Sequence, residues 1–585
     1  MAKTLHVAGG SYLYESSFHH SLFTPEDFTT EQKLIHKTAI QFIDREVRPL
    51  NGRIENQEFT IVVDLLKKAG NLGLLAHSVP EKYGGLGLDK VSKAIVGEAV
   101  GRSGSYGVAH SNHTCIATLP ITYFGTKKQK EKYLPKLASG EYIGAYCLTE
   151  PNAGSDALAS QTTAMVNKEE THYVLNGTKI YITNGAFSDT FIVYAKVNGN
   201  LFSAFIVEKG FPGLIIGPEE QKMGIKGSST TTVTFDHCLV PKENLLGVEG
   251  KGHLIALNVL NLGRFNLGSA CVGAAKLALE LAISYTKERY QFGKSIADFP
   301  ATKEKIAHMA SRIYAAESIQ YRTAGYLEES LGDLDSTDDR EFIGKRLMEY
   351  AMECSICKVY GSELLDEISD EALQLHGGAG FIQDYQIERI YRDARINRIF
   401  EGTNEINRLL LPTLLYRKME KGEIDLESSI KKALHELSTK QFSDVGGEFS
   451  VENNAVASIR NVFLACTNAV YQEYGEKLVE EQEALMKLSN IAIELFAAES
   501  CLARCMKYPT PHSKVMTKYI IEKAVLQTEV LSKQLINQAV AGDIRRSLIN
   551  MITSHFQTID LFTTKDEIRG LADVQVAAEH YVTKS

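Results

Sequence analysis

Glu401 has the best setting for chemistry in this chain. It lies in Arg392-Asp393-Ala394-Arg395-Ile396-Asn397-Arg398-Ile399-Phe400-Glu401-Gly402-Thr403-Asn404-Glu405-Ile406, where a basic helical run reaches two apolar residues, meets a carboxylate on a glycine hinge and restarts as a helix. Thr403 or Asn404 suits the N-cap of the new helix, because a short side-chain oxygen accepts from the first free backbone N–H groups. A carboxyl group desolvated beside Ile399 and Phe400 is held back from ionising, and full burial can raise its pKa by up to about 3–5 units. Such a group can take a proton from carbon near neutral pH. The other reading is a carboxylate that only complements the dipole of the following helix.

Two further segments invite an anionic ligand. Thr149-Glu150-Pro151-Asn152-Ala153-Gly154-Ser155-Asp156 is either an ordinary turn or one whose backbone N–H groups and Ser155 hydroxyl face phosphate oxygens. Gln374-Leu375-His376-Gly377-Gly378-Ala379-Gly380 is either a helix C-terminus with left-handed glycines or a place where backbone approaches a ligand closely. No G-x-G-x-x-G follows an expected strand and no G-x-x-x-x-G-K-[ST] occurs, so a Rossmann or P-loop nucleotide site is not supported.

The elements that must hold these groups follow from periodicity. From Thr29 to about Gly140 the pattern is helical, with Thr29 and Gln32 forming a capping box ahead of Leu34, Ile35, Ala39, Phe42 and Ile43. Thr126 opens another helix, whose Lys127, Lys128, Lys130 and Lys132 read as a solvated face. Between about Tyr146 and Val248 the period is that of strands. Tyr173-Val174-Leu175, Asn176-Gly177 and Lys179-Ile180-Tyr181-Ile182-Thr183 read as a hairpin with a type I′ turn, and the run from Phe191 through Asn198-Gly199 to Val207 repeats the device. After Gly252 helix resumes through roughly Arg417, strongest between Ala270 and Arg289, where Ala and Leu dominate. A polar segment near Ser438 to Asn454 reads as a linker. Beyond it, Leu488, Ile491, Leu495, Ala498 and Leu502, and a further stripe from Val515 to Val540, read as an extra packed bundle, with a membrane-lying surface as the other reading.

At 585 residues and 44% apolar composition, the chain is long enough for about four domains with large cores. A net charge of -9 with interspersed signs leaves no electrostatic footprint for DNA or RNA. The nine cysteines are scattered, and the near pairs Cys354/Cys357 and Cys501/Cys505 fall on single helix faces, so buried reduced thiols and a reducing compartment are expected. Met1 to Gly10 has neither the apolar core of a secretory signal nor an Arg-rich transit pattern, and no apolar run approaches the ~18 residues of a membrane span. A cytoplasmic protein is expected, or a mitochondrial matrix protein if a transit peptide has been removed.

Six motifs occur in one order: Leu148 to Asp156, Leu175 to Gly185, Lys222-Met223-Gly224-Ile225-Lys226, Arg289-Tyr290-Gln291-Phe292-Gly293-Lys294, Leu375 to Phe381, and Ile399 to Asn404. In that order they resemble the acyl-CoA dehydrogenase family over about Thr29 to Arg417. The resemblance implies an α+β fold with an N-terminal helical domain (29–145), a middle β domain (146–250) and a C-terminal four-helix-bundle domain carrying Glu401 (251–423). An additional all-α extension (424–585) completes it. The implied cofactor is FAD. Tyr146, Leu148 and Thr149 would hold its isoalloxazine, with Tyr181 and Ile182 beside it, and Thr183 would hydrogen-bond near N5. Tyr181 stands where many relatives have Trp, and the chain contains no Trp. Ser155 would touch the FAD pyrophosphate or the CoA arm. Arg289, Gln291 and Phe292, with Gln374, Gly377 and Gly378, would grip the ADP half of FAD across a subunit interface.

On the substrate side the resemblance places Arg264 near CoA, Asn261, Phe400 and Gly402 at the substrate, and Thr403 and Asn404 at the cofactor. Some relatives carry the base just before the helix arginine; that position is Gly263 here, which leaves Glu401. The implied reaction is β-oxidation chemistry on acyl-CoA: Glu401 takes the α-proton, flavin N5 takes the β-hydride, and a trans-2-enoyl-CoA forms. The implied electron acceptor is electron-transferring flavoprotein. The extension is similar to that of the very-long-chain type, which implies a homodimer acting on long acyl chains; peripheral membrane contact has no support in the residues. The alternatives within this resemblance are a non-catalytic scaffold with a dehydrogenase shell and an acyl-CoA oxidase.

Overall fold

The computed structural model describes residues 7–18, 22–332, 334, 337, 339–440 and 447–583. Its first layer is helical. Helix α1 (Thr30–Phe42) starts at the expected capping box: Thr29 Oγ1 accepts from Gln32 N at 3.1 Å and Gln32 Oε1 accepts from Thr29 N at 3.0 Å. The box at Thr126 and Gln129 forms in the same way. Lys130 departs from the expected solvated face. It is buried while Lys127, Lys128 and Lys132 are exposed, because it stands three and four residues before Tyr133 and Leu134 on the core side of the helix. Helices α2 (Lys90–Gly101) and α3 (Ser105–Ser111) follow and reach the centre of the molecule.

The middle layer is an eight-stranded sheet: β1 (Gly144–Cys147), β2 (Thr163–Val166), β3 (His172–Thr183), β4 (Thr190–Val197), β5 (Leu201–Glu208), β6 (Leu214–Glu219), β7 (Thr230–Pro241) and β8 (Leu245–Leu246). Its order is β6-β7-β3-β2-β4-β5-β8, with β1 parallel to β4. The first expected hairpin does not form. Residues 172–183 make one strand, because both halves find partners along β7, with a register shift between Leu175 and Gly177. Asn176-Gly177 is therefore a bulge. Gly177 has φ +151°, and a Cβ there would stand 2.5 Å from Thr162 Oγ1, so the close approach of β2 requires glycine. The second hairpin forms as expected, with Val197 opposite Leu201 and both Asn198 and Gly199 at positive φ.

The third layer packs α4 (Gly252–Glu288), α5 (Pro300–Leu331), α6 (Ala351–His376), α7 (Gln386–Ala394) and α8 (Asn404–Glu420). Helix α4 corrects one sequence expectation: by length and composition it could cross a membrane, with a mean hydropathy of 1.4 over 18 residues. It is the core helix of the bundle, and 67% of that window is buried. The extension adds α9 (Ser450–Tyr474), α10 (Gln482–Lys507) and α11 (Pro511–Ala539), followed by helices Gly542–Phe556 and Lys565–Ala578. Leu488, Ile491, Leu495, Ala498 and Leu502 are buried, and α10 packs on α5 and α8. Of the expected linker, Ser438 and Thr439 end a helix and α9 starts at Ser450; 441–446 lie outside the described residues.

A buried ionic cluster joins the extension to the bundle. The Glu499 carboxylate on α10 accepts from Arg322 on α5 at 2.8 Å and from Arg460 on α9 at 2.5 Å, while Arg322 also donates to Ser17 Oγ at 2.8 Å. All nine cysteines are free and buried, and the near pairs Cys354/Cys357 and Cys501/Cys505 each lie within one helix.

Candidate active site

The chain enters the Glu401 turn from α7 through the short helical turn Arg395–Arg398 and leaves it into α8. Thr403 is the cap, its Oγ1 accepting from Ile406 N at 3.3 Å. Glu401 has φ +58° and Gly402 φ +79°. A left-handed glutamate costs on the order of 1–3 kcal/mol and persists only where its surroundings impose it. Here side chains hold successive carbonyls. Arg264 Nε donates to Glu401 O at 3.3 Å, Lys358 Nζ to Gly402 O at 2.8 Å, and Asn407 Nδ2 to Gly402 O at 2.8 Å and Thr403 O at 3.0 Å.

The carboxylate itself is left free. Glu401 Oε2 is buried without a hydrogen-bond partner. Burial pushes its pKa up to about 7, against the opposing pull of Arg264 and Lys358. A group half-ionised at neutral pH is suited to moving protons, and with Thr403 capping α8, Glu401 is not needed as the helix's cap.

Glu401 opens into an apolar cavity of ≈ 140 Å³ whose lining also includes Phe400, Thr183, Cys115, Ile116 and Gly263. The lining continues along α4 through Leu267, Ala270 and Ala274 to Leu277. A Cβ at Gly263 would stand 2.7 Å from Glu401 Oε2, so a residue with a side chain there would compete with the carboxylate for one spot. Among the described residues no group of three or more His, Cys, Asp or Glu could hold a metal.

The sheet supplies the opposite wall. Ile180 N donates to Thr149 O at 3.0 Å, which brings the end of β1 beside the last residues of β3. A register shift between Lys179 and Ile182 turns Tyr181 outward, with φ +60° and 63% exposure, while Ile182 is buried and Thr183 faces the cavity. Tyr146 and Leu148 are buried beneath this edge. An exposed aromatic on a strained bulge next to a hydroxyl-bearing cavity wall fits a flat heteroaromatic ring. In the Thr149 to Asp156 segment Glu150 and Ala153 exchange backbone hydrogen bonds at 3.1 Å across a tight turn, and buried Lys179 anchors it by donating to Glu150 Oε1 at 2.6 Å. Ser155, two residues past the turn, is exposed.

The remaining expected residues form a separate surface patch. Arg289 precedes a small hairpin, β9 (Tyr290–Gln291) and β10 (Lys294–Ser295), whose two-residue turn Phe292-Gly293 has positive φ at both positions. Phe292 is 94% exposed. Tyr285 stacks on His376 with ring centroids 4.4 Å apart, which sets this hairpin beside Gln374, Gly377 and Gly378 at the end of α6. None of these six lines the cavity.

Two expected contacts are corrected. Asn404, assigned to the cofactor, is buried and its side chain bonds Lys358, Ser362 and Glu363. Asn261, assigned to substrate, accepts from Arg264 Nη1 at 3.0 Å, and neither Asn261 nor Arg264 lines the cavity. Both asparagines brace the site from behind. Lys358 and Asn407 were missed; the signal available for the first was a lone lysine inside the apolar helical run Cys354-Ser355-Ile356-Cys357-Lys358-Val359-Tyr360.

Comparison with known proteins matches sequence models described as the N-terminal, middle and C-terminal domains of acyl-CoA dehydrogenase to residues 29–141, 145–238 and 250–413. A second C-terminal-domain model of the same description matches 458–553 in the extension. A probable acyl-CoA dehydrogenase of Bacillus subtilis is 48% identical, covering 93% of this chain and 91% of its own. The very long-chain specific acyl-CoA dehydrogenase of Macaca fascicularis is 35% identical, covering 83% of this chain and 76% of its own. An acyl-CoA dehydrogenase of Bacillus anthracis solved with FAD superposes with a TM-score of 0.94 at 45% identity, covering 99% of this chain and 100% of its own.

Proposed function

The chain belongs to the acyl-CoA dehydrogenase family and is an FAD-dependent oxidoreductase, and from that premise we propose that it oxidises long-chain acyl-CoA to trans-2-enoyl-CoA with Glu401 as the base. The observation that carries this reading is the Glu401 carboxylate, unpartnered and desolvated, sharing one apolar cavity with Thr183 of the sheet.

The residues divide the work. Glu401 accepts the α-proton of the thioester, and its raised pKa matches it to an acid far weaker than an ordinary carboxylic acid. The backbone N–H of Glu401 is available to the developing enolate oxygen, in a turn held rigid by Arg264, Lys358 and Asn407. FAD, when bound, supplies the acceptor for the hydrogen that leaves the β-carbon with its electron pair. Thr183, Tyr181 and the Tyr146 to Thr149 segment would hold its ring. Phe400, Cys115, Ile116 and Leu267 exclude water, which strengthens every polar interaction in the site.

The course of the cavity supports the long-chain reading. The lining spans α4 from Gly263 to Leu277, about 21 Å at the helical rise per residue, and its walls there are the small residues Ala270, Cys271 and Ala274. That depth suits an acyl chain several times longer than butyryl. The surface patch of Arg289, Phe292, Gln374 and Gly378, none of which lines the cavity, supports a homodimer in which each chain completes its partner's cofactor site; light scattering at the dimer mass tests this. We assign electron-transferring flavoprotein as acceptor.

The test of substrate class is anaerobic mixing of the FAD-loaded protein with palmitoyl-CoA or butyryl-CoA. Rapid flavin bleaching with palmitoyl-CoA, yielding a product two hydrogens lighter, and slow bleaching with butyryl-CoA are expected. Faster bleaching with butyryl-CoA contradicts the chain-length reading, and hydrogen peroxide formed in step with substrate loss in air makes the protein an oxidase.

A further inference from the structure

Lys358 is fully buried in the middle of α6, where an amine needs partners to offset its desolvation. Its Nζ donates to Gly402 O at 2.8 Å, one peptide beyond Glu401, and to Asn404 Oδ1 at 2.6 Å. From Asn404 a line of hydrogen bonds leads outward. Asn404 Nδ2 donates to Glu363 Oε1 at 3.0 Å. Arg408 grips Glu363 through both guanidinium nitrogens, at 2.7 and 2.8 Å. Arg408 Nε then donates to Asn490 Oδ1 at 2.7 Å, and Ser489 Oγ donates to Arg408 O at 2.6 Å. Ser489 and Asn490 lie on α10, in the extension.

We propose that Lys358 is a positioning residue for the catalytic turn, and that the C-terminal extension holds it in place through Asn490, Arg408, Glu363 and Asn404. The inference rests on the reading of Glu401 as the base. Two actions follow from the geometry. Lys358 fixes the Gly402 carbonyl and so the left-handed conformation that aims the Glu401 side chain into the cavity. It also brings a positive charge beside a carboxylate that must ionise to work. Glu401 is faced by Arg264 from α4, Lys358 from α6, and Cys115 and Tyr146, the last two neutral at working pH because burial pushes both groups up. Lys358 in turn is faced by Cys271, Glu401, Arg264 and Glu363, and burial brings its amine down to about 8. A charge-assisted, bidentate Arg–carboxylate link gives the line directional rigidity that a purely apolar contact lacks.

The experiment uses FAD-loaded wild type, Lys358→Met, Asn490→Ala and Glu401→Gln, following anaerobic flavin bleaching by palmitoyl-CoA from pH 5.5 to 9 alongside FAD content and equilibrium acyl-CoA affinity. Lys358→Met removes a cation that favours the ionised base, so the midpoint of its rate profile moves to higher pH by about one unit, and the rate at pH 7 falls about fivefold or more. Asn490→Ala, on the half-exposed outer end of the line, keeps FAD and affinity, leaves the midpoint in place and lowers the plateau rate about threefold, the scale of one lost hydrogen bond. A wild-type profile in both variants overturns the proposal. A shifted midpoint in Lys358→Met with wild-type rates in Asn490→Ala overturns the link to the extension, and if Lys358→Met loses its FAD, Asn490→Ala alone decides. Glu401→Gln separates the two readings: wild-type bleaching in that variant removes the base assignment, whereas its inactivity beside unaltered Lys358 and Asn490 variants removes only the positioning role.

Discussion

At the scale of single residues, Glu401 shows function exacting a cost in stability. Its carboxyl group titrates near 7 in the folded chain and near 4.5 in an unfolded one. Between those values the unfolded state has released the proton that the native state still holds, so stability falls as pH rises through the window and is lowest above about 7. Glu401→Gln removes this dependence. The variant is expected to be more stable than wild type by on the order of 3 kcal/mol at pH 8, with the difference vanishing below pH 4.5, as read by denaturant melts at both pH values. Glu401 stood out in the sequence as a carboxylate between apolar residues and a glycine, but that pattern alone left a helix-dipole role open, and only the order of the six motifs pointed to a base. Its supports did not stand out. Asn404 and Asn261 carry motif positions that suggest ligand contact, yet both spend their side chains on neighbouring protein groups, and no sequence signal separates an amide facing a ligand from one facing a lysine or an arginine.

At the scale of elements, α4 decides what the site can take. Its small residues Ala270 and Ala274 line the cavity together with residues from the end of α2 and from α3. Ala274→Phe would fill the deep half of the channel and leave Glu401 untouched. Bleaching by palmitoyl-CoA should slow by about tenfold or more while a short acyl-CoA keeps its rate, the range expected when a pocket loses space for part of a chain; equal loss for both chain lengths would show that the acyl chain lies elsewhere. Capping boxes at Thr29 and Thr126 and the hairpin at Asn198-Gly199 were readable because each is settled by residues four or fewer apart. The other Asn-Gly pair misled, since whether such a pair turns the chain or only bulges it depends on β7, some sixty residues away.

At the scale of the whole molecule, the extension is welded to the catalytic body by charge as well as by apolar packing. Glu499 is completely buried between Arg322 and Arg460. Truncating it strands two guanidinium groups without their counter-charge, and Glu499→Ala should destabilise the protein by about 3–5 kcal/mol, the loss expected when one partner of a buried pair is removed. Glu499→Met combined with Arg322→Met and Arg460→Met should recover much of this; failure to recover would mean that packing rather than charge holds the joint. The extra helices were visible in the sequence as apolar stripes. Their partner faces were not, because the ion pairs that fix α10 against α5 join residues about 180 positions apart.

The most direct test follows flavin absorbance in wild type and Glu401→Gln during anaerobic mixing with palmitoyl-CoA across pH 5.5 to 9. Wild type should bleach with a half-maximal rate near pH 7, and Glu401→Gln should keep FAD and bind palmitoyl-CoA yet bleach at least a thousandfold more slowly at every pH, as expected when a general base is removed. Bleaching of Glu401→Gln at the wild-type rate, with the same pH profile, would show that another group takes the proton.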